Sequence, residues 1–169
     1  NNEDNVGVLK TGKSLLAVVC DGLGGYNAGD VASEMAVDTI ISFFEEPPET
    51  DISNTISDSI IEAHNRILNE SKNILSHNGM STTAEVLFIN GDYFYWGHVG
   101  DSRIYLFASG NLIQITKDHS LVQQLIDEGL IDERDALKHP NKNIITRALG
   151  DEKKLEIDLG SSSLPEKSW

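Results

Sequence analysis

Leu15, Leu16, Ala17, Val18, Val19 and Cys20 run without a polar interruption into Asp21, Gly22, Leu23, Gly24 and Gly25. A continuous apolar run this short, with β-branched members, reads as a buried strand. Three glycines among the next five residues, Gly22, Gly24 and Gly25, predict a tight turn where backbones approach closely. The sequence thus carries one carboxylate, Asp21, to the end of a buried strand and confines it there.

Beyond Gly25 the chain passes from helical to strand periods. Ala32, Met35, Ala36, Ile40 and Phe43 fall at helical spacing and predict a helix over residues 29–45, stopped by Pro47 and Pro48. Small residues in its first turns would let it lie close to a sheet. Ile56, Ile60, Ala63, Ile67 and Ile74 predict a second helix over 53–76, with Asp51 or Ser53 as its cap and Asn78-Gly79 as its stop. The period then changes. Strands are expected over 82–90, 93–99, 103–107 and 112–116, with hairpin turns at Gly91-Asp92 and Ser109-Gly110-Asn111. Short helices are expected over 121–128 and 132–136, and late strands over 143–147 and 155–159. An antiparallel meander after two consecutive helices is an α+β order, not a βαβ series.

Composition narrows the function. A chain of 169 residues can bury a core as one domain and needs no structural metal or disulfide to do so. Its net charge of −14 opposes a nucleic-acid partner. No basic residue interleaves with Tyr93, Phe94, Tyr95 and Trp96, which read as side chains covering a core. No apolar run is long enough to span a bilayer. The single cysteine, Cys20, excludes an internal disulfide, and Asn1, Asn2, Glu3 and Asp4 are unlike the basic start of a signal peptide. A cytoplasmic protein is expected. Cys20 lies beside acidic residues that would disfavour a thiolate and reads as a buried small hydrophobe.

Three acidic motifs stand at predicted strand ends: Glu3-Asp4, Asp21-Gly22, and Asp101 within Gly100-Asp101-Ser102-Arg103. Mg²⁺ and Mn²⁺ take carboxylate, carbonyl and water oxygens in octahedral geometry, so Asp21 and the bare Gly22 carbonyl suit one ion. An Asp shared by two ions would allow phosphate-ester hydrolysis by water without a protein nucleophile. Each motif singly has a plainer reading, since Asp-Gly is a common turn dipeptide. A nucleotide-phosphate loop at residues 21–25 is disfavoured, because no Gly-Lys-Ser/Thr comes after it.

Taken in order, the blocks resemble the metal-dependent protein serine/threonine phosphatases, the type 2C or PPM family, and its compact bacterial members in particular. Asn2-Glu3-Asp4 is similar to the end of the family's opening motif. Residues 19–25 with Ala28, Gly29, Asp30, Val31, Ala32 and Ser33 resemble its Asp-Gly-Met-Gly-Gly block, with Tyr26 where many bacterial members carry His. Met80-Ser81-Thr82-Thr83, residues 97–103, residues 116–120 and residues 143–150 are similar to later blocks. The resemblance implies a sandwich of two antiparallel β-sheets flanked by helices in α-β-β-α layers. It implies two Mn²⁺ or Mg²⁺ ions bridged by Asp21, with Gly22 giving its carbonyl and Glu3 binding the second ion. Asp4 would support them, Asp101 would hold a third, weaker ion, and Asp118 would stand behind the ligands. Residues at about 121–141 would form a flap beside the site. The substrates implied are phosphorylated proteins, the products of a serine/threonine kinase.

The family's phosphate-binding Arg would stand ahead of Asn1, and its Ser-Asp-Gly and Asp-Asn blocks would come after Trp169. The expectation is therefore one incomplete domain over 1–169, lacking its last strands. The alternative is a catalytically degenerate phosphatase-like module that binds or regulates. Of the histidines, His98 is expected to be packed in the sheet and not to ligate metal. His119 is open between structural and functional roles, His64 and His77 are placed at the surface, and His139 lies in the flap. Arg103 is expected to pair with a carboxylate and hold the Asp101 turn.

Overall fold

The computed structural model describes residues 2–24, 28–46, 48 and 50–165. Strands β1 (Asp4–Thr11) and β2 (Ser14–Leu23) form an antiparallel hairpin. β2 is the apolar run of the sequence, and it lies between β1 and β4 (Ala84–Asn90). Ser14, Leu16, Val18 and Cys20 are buried on one of its faces. β4 turns back into β5 (Tyr93–Val99) through Gly91-Asp92, as the sequence predicts. Gly91 has φ 60°, the left-handed conformation that such two-residue loops require.

Helix α1 (Ala28–Ser42) packs on β1 and β2, and α2 (Ile52–Asn73) packs on α1 and β5. Gly7 of β1 permits the first contact, because a Cβ there would lie 2.4 Å from Ile41 Cδ1. Gly97 of β5 permits the second, its Cβ position lying 2.4 Å from Ile56 Cγ2. The core between helices and sheet unites Leu16, Val18, Val86 and Phe88 with Ala32, Ala36, Ile40, Ile56, Ile60 and Ile67. A short strand, β3 (Ser81–Thr82), pairs with the end of β2, and the hairpin β6 (Tyr105–Ala108) and β7 (Asn111–Gln114) forms a second, two-stranded sheet. Helices α3 (Leu121–Asp127) and α4 (Glu133–Ala136) come next, and β8 (Asp158–Ser163) closes the first sheet against β5. The architecture is α+β, with antiparallel sheets and flanking helices, as expected. No described helix is long and apolar enough to cross a membrane.

Several local expectations are corrected. α1 ends at Ser42, ahead of the two prolines, and Phe44, not Phe43, turns inward, its ring centroid 5.0 Å from that of Phe88. Pro47, like Gly25 and Tyr26, lies outside the described residues. Asp51 occupies the N-cap of α2 but gives it no side-chain cap; its carboxylate accepts from the Asn54 amide instead. Residues 143–147 form no strand. Their backbone bonds go to a loop, with Thr146 N–H donating to the His119 carbonyl and the Ile144 carbonyl accepting from Leu121. The last strand begins at Asp158, because Leu155 and Ile157 pack on the core while Ser161, Ser162 and Ser163 pair with β5.

Candidate metal centre

The site is built at one end of the six-stranded sheet, where β2 ends ahead of α1. Asp4 and Asp21 are direct register partners across β1 and β2, so their side chains share a face of the sheet. The Gly22 N–H donates to the Glu3 carbonyl at 3.1 Å. Gly22 and Gly29 are bare because three backbones converge there. A Cβ on Gly22 would lie 2.1 Å from the Gly29 carbonyl oxygen, and one on Gly29 would lie 2.1 Å from Glu3 Oε2. The Glu3 carboxylate therefore rests on the first turn of α1, the positive end of the helix dipole. Ser33 Oγ donates to the Glu3 carbonyl at 2.5 Å and accepts from Asn5 Nδ2 at 2.9 Å, which fixes that segment to α1.

Thr82 and Thr83 hold Asp21 from the other side. Thr83 Oγ1 accepts from the Asp21 N–H at 2.9 Å, and the Asp21 carbonyl accepts from Thr83 N–H and from Thr82 Oγ1, each at 2.9 Å. Thr83 Oγ1 also lies 3.0 Å from Ser102 Oγ, in the turn that carries Asp101. Gly100 makes that approach possible. Its φ of 121° is open to glycine, and a Cβ there would strike Thr83 Cγ2 at 2.5 Å. One buried threonine thus ties the Asp21 strand end to the Asp101 turn.

The carboxylates so gathered repel one another. Burial pushes the Asp21 carboxyl above its ordinary range, and Asp4, Asp101 and Glu3 push it further. Burial likewise raises Asp101, with Asp118 adding to it and Arg103 and His98 opposing. Among the described residues no three His, Cys, Asp or Glu side chains close into a ready-made cage for an ion. The side chains gathered here, Glu3, Asp4, Asp21 and Asp101, offer only oxygen donors, the chemistry that hard cations take.

Asp118 is drawn into a different contact. Arg103 grips it with two parallel bonds, Nε to Oδ1 at 2.7 Å and Nη2 to Oδ2 at 2.6 Å, the geometry that suits guanidinium to carboxylate. The expected pairing of Arg103 is thus found, and it leaves Asp118 beside Asp101 with its oxygens already engaged. A cleft of about 550 Å³ opens next to them, lined by Asp101, Arg103, Asp118, Gln123, Lys142 and Asn143. Helices α3 and α4 contribute to its lining through Val122, Ile126 and Ala136.

The histidines sort by burial. His98 is fully buried and hydrogen-bonded within the sheet, as expected. His119 is buried too, with Nδ1 accepting from the Gly100 N–H at 3.1 Å. His64, placed at the surface by its helical position, is in fact buried and accepts from the Gly150 N–H at 3.2 Å. His77 pairs with Glu70, and His139 accepts from the Asn141 N–H. Cys20 is buried, and burial pushes its thiol well above the usual range, which leaves it no nucleophilic role. Sequence reasoning missed the work of Thr83 and Gly29. The paired threonines after Met80 were visible as a block, but nothing local shows which strand end they hold.

The family model described as Protein phosphatase 2C matches residues 1–144. The serine/threonine phosphatase stp of Listeria welshimeri serovar 6b is 39% identical over 163 residues, covering 94% of this chain and 65% of that protein. The crystal structure of serine/threonine phosphatase Stp1 from Staphylococcus aureus is similar with a TM-score of 0.90 at 33% identity, covering 97% of this chain and 66% of that one. The catalytic domain of the serine/threonine protein phosphatase PstP, in complex with two manganese ions, is similar with a TM-score of 0.83 at 31% identity, covering 98% of this chain and 67% of that one. The chain thus spans just under two thirds of the length of the Listeria protein it matches. An acidic cluster at the sheet end, a matching fold and a match over most of the sequence agree, and the chain belongs to the protein phosphatase 2C family.

Proposed function

We propose that this chain is the larger part of a protein serine/threonine phosphatase domain that hydrolyses phosphoserine and phosphothreonine in phosphorylated proteins. Asp21 would offer its carboxylate to two divalent cations, Mn²⁺ or Mg²⁺, with the Gly22 carbonyl and Glu3 completing the protein's share. Asp4 would support them from the facing strand, and Asp101 would take a third, weaker ion. Bound there, the ions would supply Lewis-acid activation of water and charge neutralisation of the phosphoryl group.

The chain's own residues supply the rest. α1 and Ser33 hold the Glu3 segment, the two threonines hold Asp21, and Arg103 holds Asp118 beside Asp101. The segment at about 121–141 would act as a flap over the cleft, and Gln123 and Lys142, which line that cleft, would meet a phosphopeptide. The observation that carries the reading is the pair of contacts made by Thr83, to Asp21 and to Ser102, which gathers carboxylates from separate segments at one sheet end. Solved relatives with the same fold, one of them in complex with two manganese ions, support the choice of ions.

The test is phosphate release from a phosphothreonine peptide by the full-length protein. Release that needs Mn²⁺ or Mg²⁺ and is lost in Asp21→Asn is the expected result. No release from the folded full-length protein at saturating metal would overturn the reading.

A further inference from the structure

Beneath the Asp101 turn lies a buried ionisable pair that the proposed hydrolysis does not use. Glu85 of β4 and His98 of β5 are direct cross-strand partners, 4% and 0% exposed. His98 Nδ1 lies 2.8 Å from both oxygens of the Glu85 carboxyl, and Nε2 lies 2.8 Å from the Lys117 carbonyl oxygen. A carbonyl only accepts, so Nε2 carries a proton and donates it to Lys117. The Glu85 contact then orients the ring from its other side. Burial pushes the Glu85 carboxyl up to about 7, with the bond from His98 pulling against it.

The next layer connects this pair to the site. The His98 ring packs on His119, centroids 4.3 Å apart. His119 N–H donates to the Gly100 carbonyl at 2.7 Å, and the Gly100 N–H donates back to His119 Nδ1 at 3.1 Å. With Nδ1 accepting, His119 Nε2 carries the proton toward Asp158 Oδ2 at 3.1 Å, and Asp158 is held in turn by Arg147 at 2.9 Å. Lys117 is thus anchored by His98 and His119 by Gly100. Asp118 stands between those anchors, and Asp101 comes directly after Gly100.

We propose that Glu85 and His98 form a positioning pair that sets Asp101 and the Asp118–Arg103 clamp in place for cation binding. A buried ion pair or hydrogen-bonded pair contributes little net stability over apolar residues of the same volume. An apolar pair at 85 and 98 would fill the same space but leave the Lys117 carbonyl without its donor and the 117–119 loop without one of its anchors. The pair is therefore read as geometry, not as ballast. Outer partners of metal ligands typically change affinity by about 10–100-fold when removed.

This inference rests on the reading of Asp101 as a cation ligand, and the experiment separates the two. Mn²⁺ binding to the full-length protein is measured by calorimetry, with unfolding followed in parallel. His98→Leu is expected to weaken the low-affinity Mn²⁺ site by about 10-fold while leaving the tight sites within about 2-fold. His98→Gln, whose amide can still donate to Lys117, is expected to recover most of that loss. Should His98→Leu fail to fold, Glu85→Gln carries the test, with a smaller weakening of the same low-affinity site. Wild-type affinity at that site in a folded His98→Leu, or in Glu85→Gln where only that variant folds, would overturn the positioning role and leave the phosphatase reading standing. A wild-type protein that binds no Mn²⁺ and releases no phosphate would overturn both.

Discussion

Replacing Thr83 by Val removes one hydroxyl and little else, and it isolates the contact on which the site is built. Thr83 is fully buried, and valine keeps its shape. The hydroxyl accepts from the Asp21 N–H at 2.9 Å and meets Ser102 Oγ at 3.0 Å. A buried donor left without its acceptor costs about 1–3 kcal/mol, and a lost neutral hydrogen bond about 0.5–1.5 kcal/mol. Ser102 can turn its hydroxyl elsewhere, so the Asp21 N–H dominates, and the expected loss is about 2–3 kcal/mol. Urea unfolding of the full-length protein at neutral pH reads it directly, with Thr83→Ser as the variant that keeps the oxygen. Because the Asp21 carboxylate moves with its backbone, Mn²⁺ affinity should fall about 10-fold in Thr83→Val and much less in Thr83→Ser. Thr83→Val within about 0.5 kcal/mol of wild type, with unchanged Mn²⁺ affinity, would refute the claim that this side chain latches the two segments together.

Gly29→Ala puts a methyl where Glu3 Oε2 lies, 2.1 Å from the Cβ position, so the carboxylate must leave its seat. Calorimetry should show Mn²⁺ binding weakened by about 10-fold or more, even though Ala favours a helix over Gly by about 1 kcal/mol. Phe44→Ala empties a core position that is 1% exposed and packed on Phe88, and should cost about 3–5 kcal/mol in chemical unfolding without loss of metal binding. Burial alone would raise Asp158, but the hydrogen bond from His119, and then the hydrogen bond and charge of Arg147, outweigh it and hold the carboxyl below its ordinary range. That stabilisation is present at neutral pH and is lost as pH falls through the depressed value. Asp158→Asn should therefore be less stable than wild type near neutrality and converge with it in acid; a gap that does not narrow in unfolding curves taken down the pH scale would contradict the pairing.

Much of this architecture was legible beforehand because it is encoded locally. The apolar run before Asp21 is β2, the helical stripes through Ala36 and Ile60 are α1 and α2, and Gly91-Asp92 is the tip of a hairpin whose Gly91 takes φ 60°. Arg103 was expected to clamp a carboxylate, and it holds Asp118. Periodicity was less informative wherever two neighbours could both face inward or where a partner strand decides the pairing. Phe43 fits the helical stripe, yet the helix ends first and Phe44 takes the core. Residues 143–147 have strand composition, yet their backbone is used by the loop around His119. His64 sits on a helix, where the surface is the default placement, but the loop at Gly150 covers it.

By itself the sequence determined most of the segments that become strands and helices and which of them end in a carboxylate, because side-chain period, glycine and turn chemistry act over a few neighbouring residues. Only the tertiary structure decided which carboxylates meet. Asp21 and Thr83 are 62 positions apart along the chain, and their bond exists because β3 and β4 run back alongside β2 in one particular register. Strand register and the close seat of α1 on Glu3 are set by packing across the whole core, a long-range balance that no local pattern spells out.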